Sequence, residues 1–114
     1  MSPITSHVLD TAKGCPAKGV NAVLELYQPN QHYKKLANSV TNADGRIPDL
    51  LPIDTVLDAG VYRLTFDTAA YFAASGAEGF YPSVSVMFEI RNPAEHYHIP
   101  LLLSPYGYST YRGS

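Results

Sequence analysis

Two histidines, His96 and His98, stand one residue apart near the end of the sequence, half of the four in the chain. Residues two apart on a strand project from one face, so this pair sets two imidazoles side by side. Imidazole titrates near neutral pH: one such group can take a proton from water and another can give one to a leaving nitrogen. Arginine stays charged and holds carbonyl or enolate oxygens, through two N–H donors where the oxygens are suitably placed. Tyrosine adds a hydrogen-bond donor and a ring that stacks on planar molecules. His7, Arg46, His98 and Tyr111 offer these parts for hydrolysis without a metal. Zinc is the other chemistry of His-x-His, with His7 as a third ligand from another strand. The spacing places nothing at ligand distance and no acidic ligand stands out, so no metal is expected. Alone, His-x-His is a weak signal, because solvent-facing strands carry it too.

The elements that must position these groups are short strands. Ile4–Asp10 alternates, with Ile4, Ser6 and Val8 on one face and Thr5, His7 and Leu9 on the other. Gly14–Gly19 is turn chemistry. Val20–Tyr27 forms a second strand, Gln28–Gln31 a turn, and Tyr33–Thr41 a weaker third strand. Asn42-Ala43-Asp44-Gly45 predicts a sharp turn that delivers Arg46 to the rim of a sheet. Pro48 and Pro52 keep the strand after it short and near an edge. Gly60–Asp67 alternates again. Thr68–Gly76 is the one helical stretch, with Asp67 or Thr68 as N-cap and Gly76 as stop. Ser83–Ile90 points Val84, Val86, Phe88 and Ile90 inward. Two closing strands, His96–Leu102 and Tyr106–Arg112, meet at Leu103-Ser104-Pro105, with Tyr97, Ile99 and Leu101 on the apolar face and the histidines on the other. Seven or eight short strands with one helix predict an all-β sandwich.

One domain spanning residues 1–114 accounts for the length. A net charge of −2, with basic residues scattered apart from Lys34-Lys35, argues against nucleic acid and anionic membrane. The single cysteine, Cys15, can form no intrachain disulfide. No secretory signal precedes Leu9 and no apolar run reaches membrane-spanning length, so a cytoplasmic location is the expectation. Arg112-Gly113-Ser114 is not a peroxisomal tripeptide of the Ser-Lys-Leu type. Tyr62, Tyr71 and Tyr97 read as core or half-buried aromatics, and His32 as surface.

Ser6-His7-Val8-Leu9-Asp10-Thr11, Gly14-x-Pro16-Ala17, Thr41-Asn42-x-Asp44-Gly45-Arg46, His96-Tyr97-His98-Ile99-Pro100-Leu101-Leu102-Leu103-Ser104-Pro105 and the closing Tyr111-Arg112-Gly113-Ser114 fall in order over nearly the whole chain. In these motifs the sequence resembles the 5-hydroxyisourate hydrolases, the transthyretin-related enzymes of urate breakdown. The closing Tyr-Arg-Gly-Ser is the specific mark, because transthyretin, the hormone carrier of the same fold, lacks it. The resemblance implies a transthyretin-like sandwich of two four-stranded sheets, with a short helix between the fifth and sixth strands. It implies a homotetramer, a dimer of dimers, with sites where dimers meet. The implied reaction opens a cyclic amide of 5-hydroxyisourate, giving 2-oxo-4-hydroxy-4-carboxy-5-ureidoimidazoline, with no metal or organic cofactor.

Residue by residue, the resemblance makes His7, Arg46 and Tyr111 substrate-binding and His98 the second essential histidine. Arg112, Gly113 and Ser114 belong to a tail that shapes the site, with Arg112 and Ser114 touching substrate. His96 stands behind the site, as does Gly113. In the implied chemistry His7 is the stronger candidate for activating water, and His98 orients that water or protonates the departing nitrogen; the reverse allocation stays open. Arg46 opposes developing negative charge. A small-molecule carrier without catalysis is the alternative from another class, and would want an apolar channel rather than these polar groups.

Overall fold

The computed structural model describes residues 2–114. Among these residues nine strands and one helix follow in order: β1 (Ile4–Asp10), β2 (Cys15–Pro16), β3 (Asn21–Gln28), β4 (His32–Val40), β5 (Arg46–Ile47), β6 (Gly60–Phe66), α1 (Thr68–Ala74), β7 (Val84–Ile90), β8 (Tyr97–Ser104) and β9 (Gly107–Thr110). They build two sheets. One runs β4-β3-β6-β7, all antiparallel. The other runs β2-β1-β8-β9, and β5 adds a fifth, two-residue strand on β1. Setting aside the two-residue β2, the helix falls between the fifth and sixth strands.

Alternation decides which side chains are covered. Ile4, Val8, Ile99, Leu101 and Leu103 of one sheet meet Ala22, Leu24, Leu64, Phe66, Val84 and Ile90 of the other, all buried. Facing side chains of two such sheets interdigitate into a single core. Tyr62, Tyr71 and Tyr97 are buried as expected, and His32 is exposed. Asp67 caps α1, its carboxylate accepting from Ala70 N–H at 3.1 Å. Past the helix, Gly76 takes φ +73°. Among the described residues no helix is long and apolar enough to cross a membrane.

The strands number nine rather than seven or eight, one sheet has five strands rather than four, and the last strand ends at Thr110 rather than Arg112; two further details differ from the sequence reading. Cys15-Pro16, read as turn, pairs with Leu9 and Asp10 as a two-residue strand. The connection between β8 and β9 is Pro105-Tyr106 rather than Leu103-Ser104-Pro105, because Leu103 pairs with Tyr108 and Ser104 with Gly107. Leu103 is 1% exposed, and that burial carries β8 two residues beyond the expected end.

The feature that positions the site is the parallel pairing of β1 with β8, which sets Thr5 beside His98 and His7 beside Pro100. A parallel pair needs a long crossover, and here nearly the whole chain supplies it. On its other edge β1 takes β5 and then β2, with His7 opposite Arg46.

Candidate active site

Arg46 reaches its place through the turn before it. The Asn42 side-chain oxygen accepts from the N–H groups of Asp44 (2.9 Å) and Arg46 (3.0 Å), a local closure typical of asparagine. Gly45 takes φ +74°, and a Cβ there would lie 2.4 Å from the Val8 carbonyl oxygen. Only glycine fits a left-handed turn pressed so closely on a neighbouring strand. Arg46 begins β5 directly opposite His7 and is exposed. Among the described residues no carboxylate forms an ion pair with it; the salt bridges involve Arg63, Arg91 and Arg112.

His7 is half-buried, and its Nε2 lies 3.0 Å from the Asp44 carbonyl oxygen. A carbonyl only accepts, so Nε2 carries the proton and Nδ1 keeps the lone pair in the neutral ring. The same contact fixes the turn to β1.

His98 is half-buried on the outer face of β8. Its Nδ1 lies 2.8 Å from Thr5 Oγ1, and His96 Nε2 lies 3.1 Å from the same oxygen. The two rings stack with centroids 6.5 Å apart. Burial lowers the pKa of His98 below the usual histidine value, and the positive charge of Arg46 and the proximity of His96 and His7 push it the same way, while a contact with the Thr5 backbone opposes them. The ring is therefore neutral at pH 7 and competent to accept a proton.

The tail folds back along β8. Gly113 N–H donates to the His98 carbonyl at 2.9 Å. A Cβ on Gly113 would stand 2.4 Å from His98 Cδ2, so the missing side chain is what lets the tail lie on the imidazole. A cavity of about 190 Å³ opens there, lined by Thr5, Ser6, Arg46, Pro48, His98 and Ser114.

The structure thus brings together His98, Arg46 and Ser114, sets Gly113 against His98, places His7 across from Arg46, and ties His96 to His98 through Thr5. Tyr111 and Arg112 lie elsewhere within the single chain. They line a separate cavity of about 240 Å³ with Met87, Phe88, Tyr97 and Ile99. Arg112 donates to Glu95 at 2.9 Å and lies 4.5 Å from the centre of the Tyr97 ring. That hydrogen bond holds the Glu95 carboxyl below its usual pKa. Thr5 is the site residue the sequence reading did not single out. Its only signal was its place on the same face of β1 as His7. Among the described residues no three His, Cys, Asp or Glu side chains gather as a metal-ligand set.

The HIUase/Transthyretin family model matches residues 4–113. The chain belongs to that family. It is 49% identical to a 5-hydroxyisourate hydrolase of Mus musculus over 99% of this chain and 96% of that one. The structure of Klebsiella pneumoniae 5-hydroxyisourate hydrolase superposes with a TM-score of 0.84 at 40% identity, covering 97% of this chain and 98% of that one. Sea bream transthyretin in complex with thyroxine superposes with a TM-score of 0.90 at 34% identity, covering 97% and 94%. The backbone is thus shared by a hydrolase and by a transthyretin solved with thyroxine bound, and function must be argued from side chains.

Proposed function

We propose that this protein hydrolyses 5-hydroxyisourate to 2-oxo-4-hydroxy-4-carboxy-5-ureidoimidazoline in urate catabolism. The observation that carries the reading is the convergence on one cavity of a neutral imidazole, Ser114 and a guanidinium with no ion-pair partner among the described residues, in a chain matched over nearly its whole length by relatives of that name. A carrier gains nothing from leaving an arginine unpaired beside a base.

Water attacks the ring's amide carbonyl, the tetrahedral intermediate collapses, and the C–N bond breaks. His98 lines the cavity, is neutral, and sits beside Arg46, which favours it as the group that takes the water proton. His7, with Nε2–H committed to the Asp44 carbonyl, keeps Nδ1 as an acceptor on the strand residue opposite Arg46. Arg46 holds substrate oxygens and opposes the charge of the tetrahedral intermediate; one such donor is worth roughly 10²–10³ in kcat. Tyr111 and Arg112 contact substrate only if a second copy brings its tail to this cavity. The cavity, at about 190 Å³, is smaller than the roughly 300–1,000 Å³ of ordinary ligand pockets. A facing copy of the chain would enlarge and close it, which supports a homotetramer, a dimer of dimers, with the site where dimers meet. Light scattering at micromolar concentration tests that, a monomer being the contrary result.

The direct test of function mixes purified protein with freshly prepared 5-hydroxyisourate and follows its absorbance. Acceleration of the decay over buffer is expected. Saturable binding with no acceleration would favour a carrier.

A further inference from the structure

Thr5 is 6% exposed, and its hydroxyl lies within hydrogen-bond distance of both His96 Nε2 and His98 Nδ1. A threonine hydroxyl has a single proton to donate. If it donates to His98 Nδ1, then His96 must donate its Nε2–H back to Oγ1; if His98 donates, then the hydroxyl donates to His96. The tautomers of the two rings are therefore complementary, and switching one switches the other. His98 faces the cavity, whereas His96 is exposed just before β8. We propose that His98, Thr5 and His96 form a proton relay between the cavity and solvent, with Thr5 as the residue that couples the two imidazoles. The proposal rests on the hydrolytic reading of the cavity and deepens it.

Protons balance over one turnover. His98 begins with its proton on Nδ1. As water attacks the carbonyl, Nε2 takes the water proton. The Nδ1 proton passes to Thr5 Oγ1, the Thr5 proton passes to His96 Nε2, and His96 loses its Nδ1 proton to solvent. His98 is now neutral with Nε2–H facing the cavity, the form that can protonate a leaving nitrogen. As the C–N bond breaks, Nε2–H goes to that nitrogen. Thr5 then donates to His98 Nδ1, His96 Nε2–H donates to Thr5, and His96 recovers a proton from solvent. The starting tautomers are restored. The new carboxylic acid ionises, so each turnover releases one proton. The relay lets one histidine serve as base and then acid without holding a second positive charge beside Arg46.

The groups facing His98 are Arg46 from β5, His7 and Thr5 from β1, His96 from the segment leading into β8, and Ser114 of the tail. Variants at Thr5 and His96 leave Arg46, His7 and Ser114 in place. Thr5→Val removes the hydroxyl at nearly constant volume. It should lower kcat about tenfold or more, short of the full roughly 10²–10⁴ contributed by a positioned proton-transfer group, with KM little changed. Thr5→Ser should recover most of the loss. His96→Ala, at an exposed position, should show a similar loss, be restored by added imidazole, and combine non-additively with Thr5→Val. A merely structural threonine would give neither imidazole rescue at position 96 nor a changed pH profile. Nitrogen-15 NMR of the wild-type protein reads the coupling without any variant. Between them, neutral His98 Nδ1 and His96 Nε2 should carry one proton. Finding both protonated, or neither, would overturn the relay. So would full activity and unchanged pH profiles in Thr5→Val and His96→Ala alongside an active wild type. A wild type inert toward 5-hydroxyisourate would instead overturn the hydrolytic reading.

Discussion

Gly113→Ala isolates the contact between the tail and His98. The position carries no positive φ, so alanine meets no backbone objection, and any effect must come from its single added methyl. That methyl would lie 2.4 Å from His98 Cδ2, 3.1 Å from Cγ and 3.2 Å from Cβ. A normal carbon–carbon contact is about 3.5–4.0 Å, so the tail or the ring must move by about 1 Å. If the ring moves, Nδ1 leaves its 2.8 Å contact with Thr5. If the tail moves, the 2.9 Å bond from Gly113 N–H to the His98 carbonyl breaks and Ser114 leaves the cavity. Either way one hydrogen bond is lost, costing about 1 kcal/mol, and Tm falls by only a few degrees. The catalytic effect should be larger, since misplacing a reacting group by about 1 Å can cost roughly 10²-fold. Initial rates of 5-hydroxyisourate decay beside a thermal melt separate the two. Gly107→Ala is the control, because its nearest foreign atom is 3.7 Å away. A Gly113→Ala protein with wild-type kcat would refute the argument that this glycine exists to seat the imidazole.

Two further outcomes follow from the same geometry. Arg46→Met removes the cation that disfavours charged His98, so the His98 pKa should rise, read by NMR titration; the acid limb of kcat/KM then moves to higher pH, since the base is lost as pH falls through that pKa. A fall would mean that the guanidinium does not face this ring. Tyr71→Phe should cost about 1–3 kcal/mol in denaturant unfolding and leave kcat unchanged, because the Tyr71 hydroxyl donates at 2.7 Å to the Asp10 carboxylate, which is 2% exposed.

The parts of this site that depend on local chemistry were legible in the sequence. Asn42 to Gly45 announces its turn through residue types, and that turn delivers Arg46. His96 and His98 share an outward face because alternation demands it, and Asp67 caps its helix as expected. The parts that depend on non-local pairing were not. Thr5 lies 93 residues from His98, and no periodicity within β1 reveals which strand lies beside it, or that the pairing is parallel. The end of β8 was missed for the same reason, because burial of Leu103 is decided by the facing sheet. The family resemblance assigns Tyr111 and Arg112 to the site, and no local pattern says where the tail lies. An antiparallel tail instead sets only Gly113 beside His98 and turns Arg112 toward Glu95 and Tyr97.

The central claim is that the His98 cavity is where the amide is opened. Its most direct test is kcat for 5-hydroxyisourate in His98→Asn, with folding checked by circular dichroism. Asparagine keeps a polar group of similar reach without a titratable nitrogen. A fall of about 10²–10⁴-fold in a folded protein is the expected result, and a folded His98→Asn protein with full activity would contradict the account.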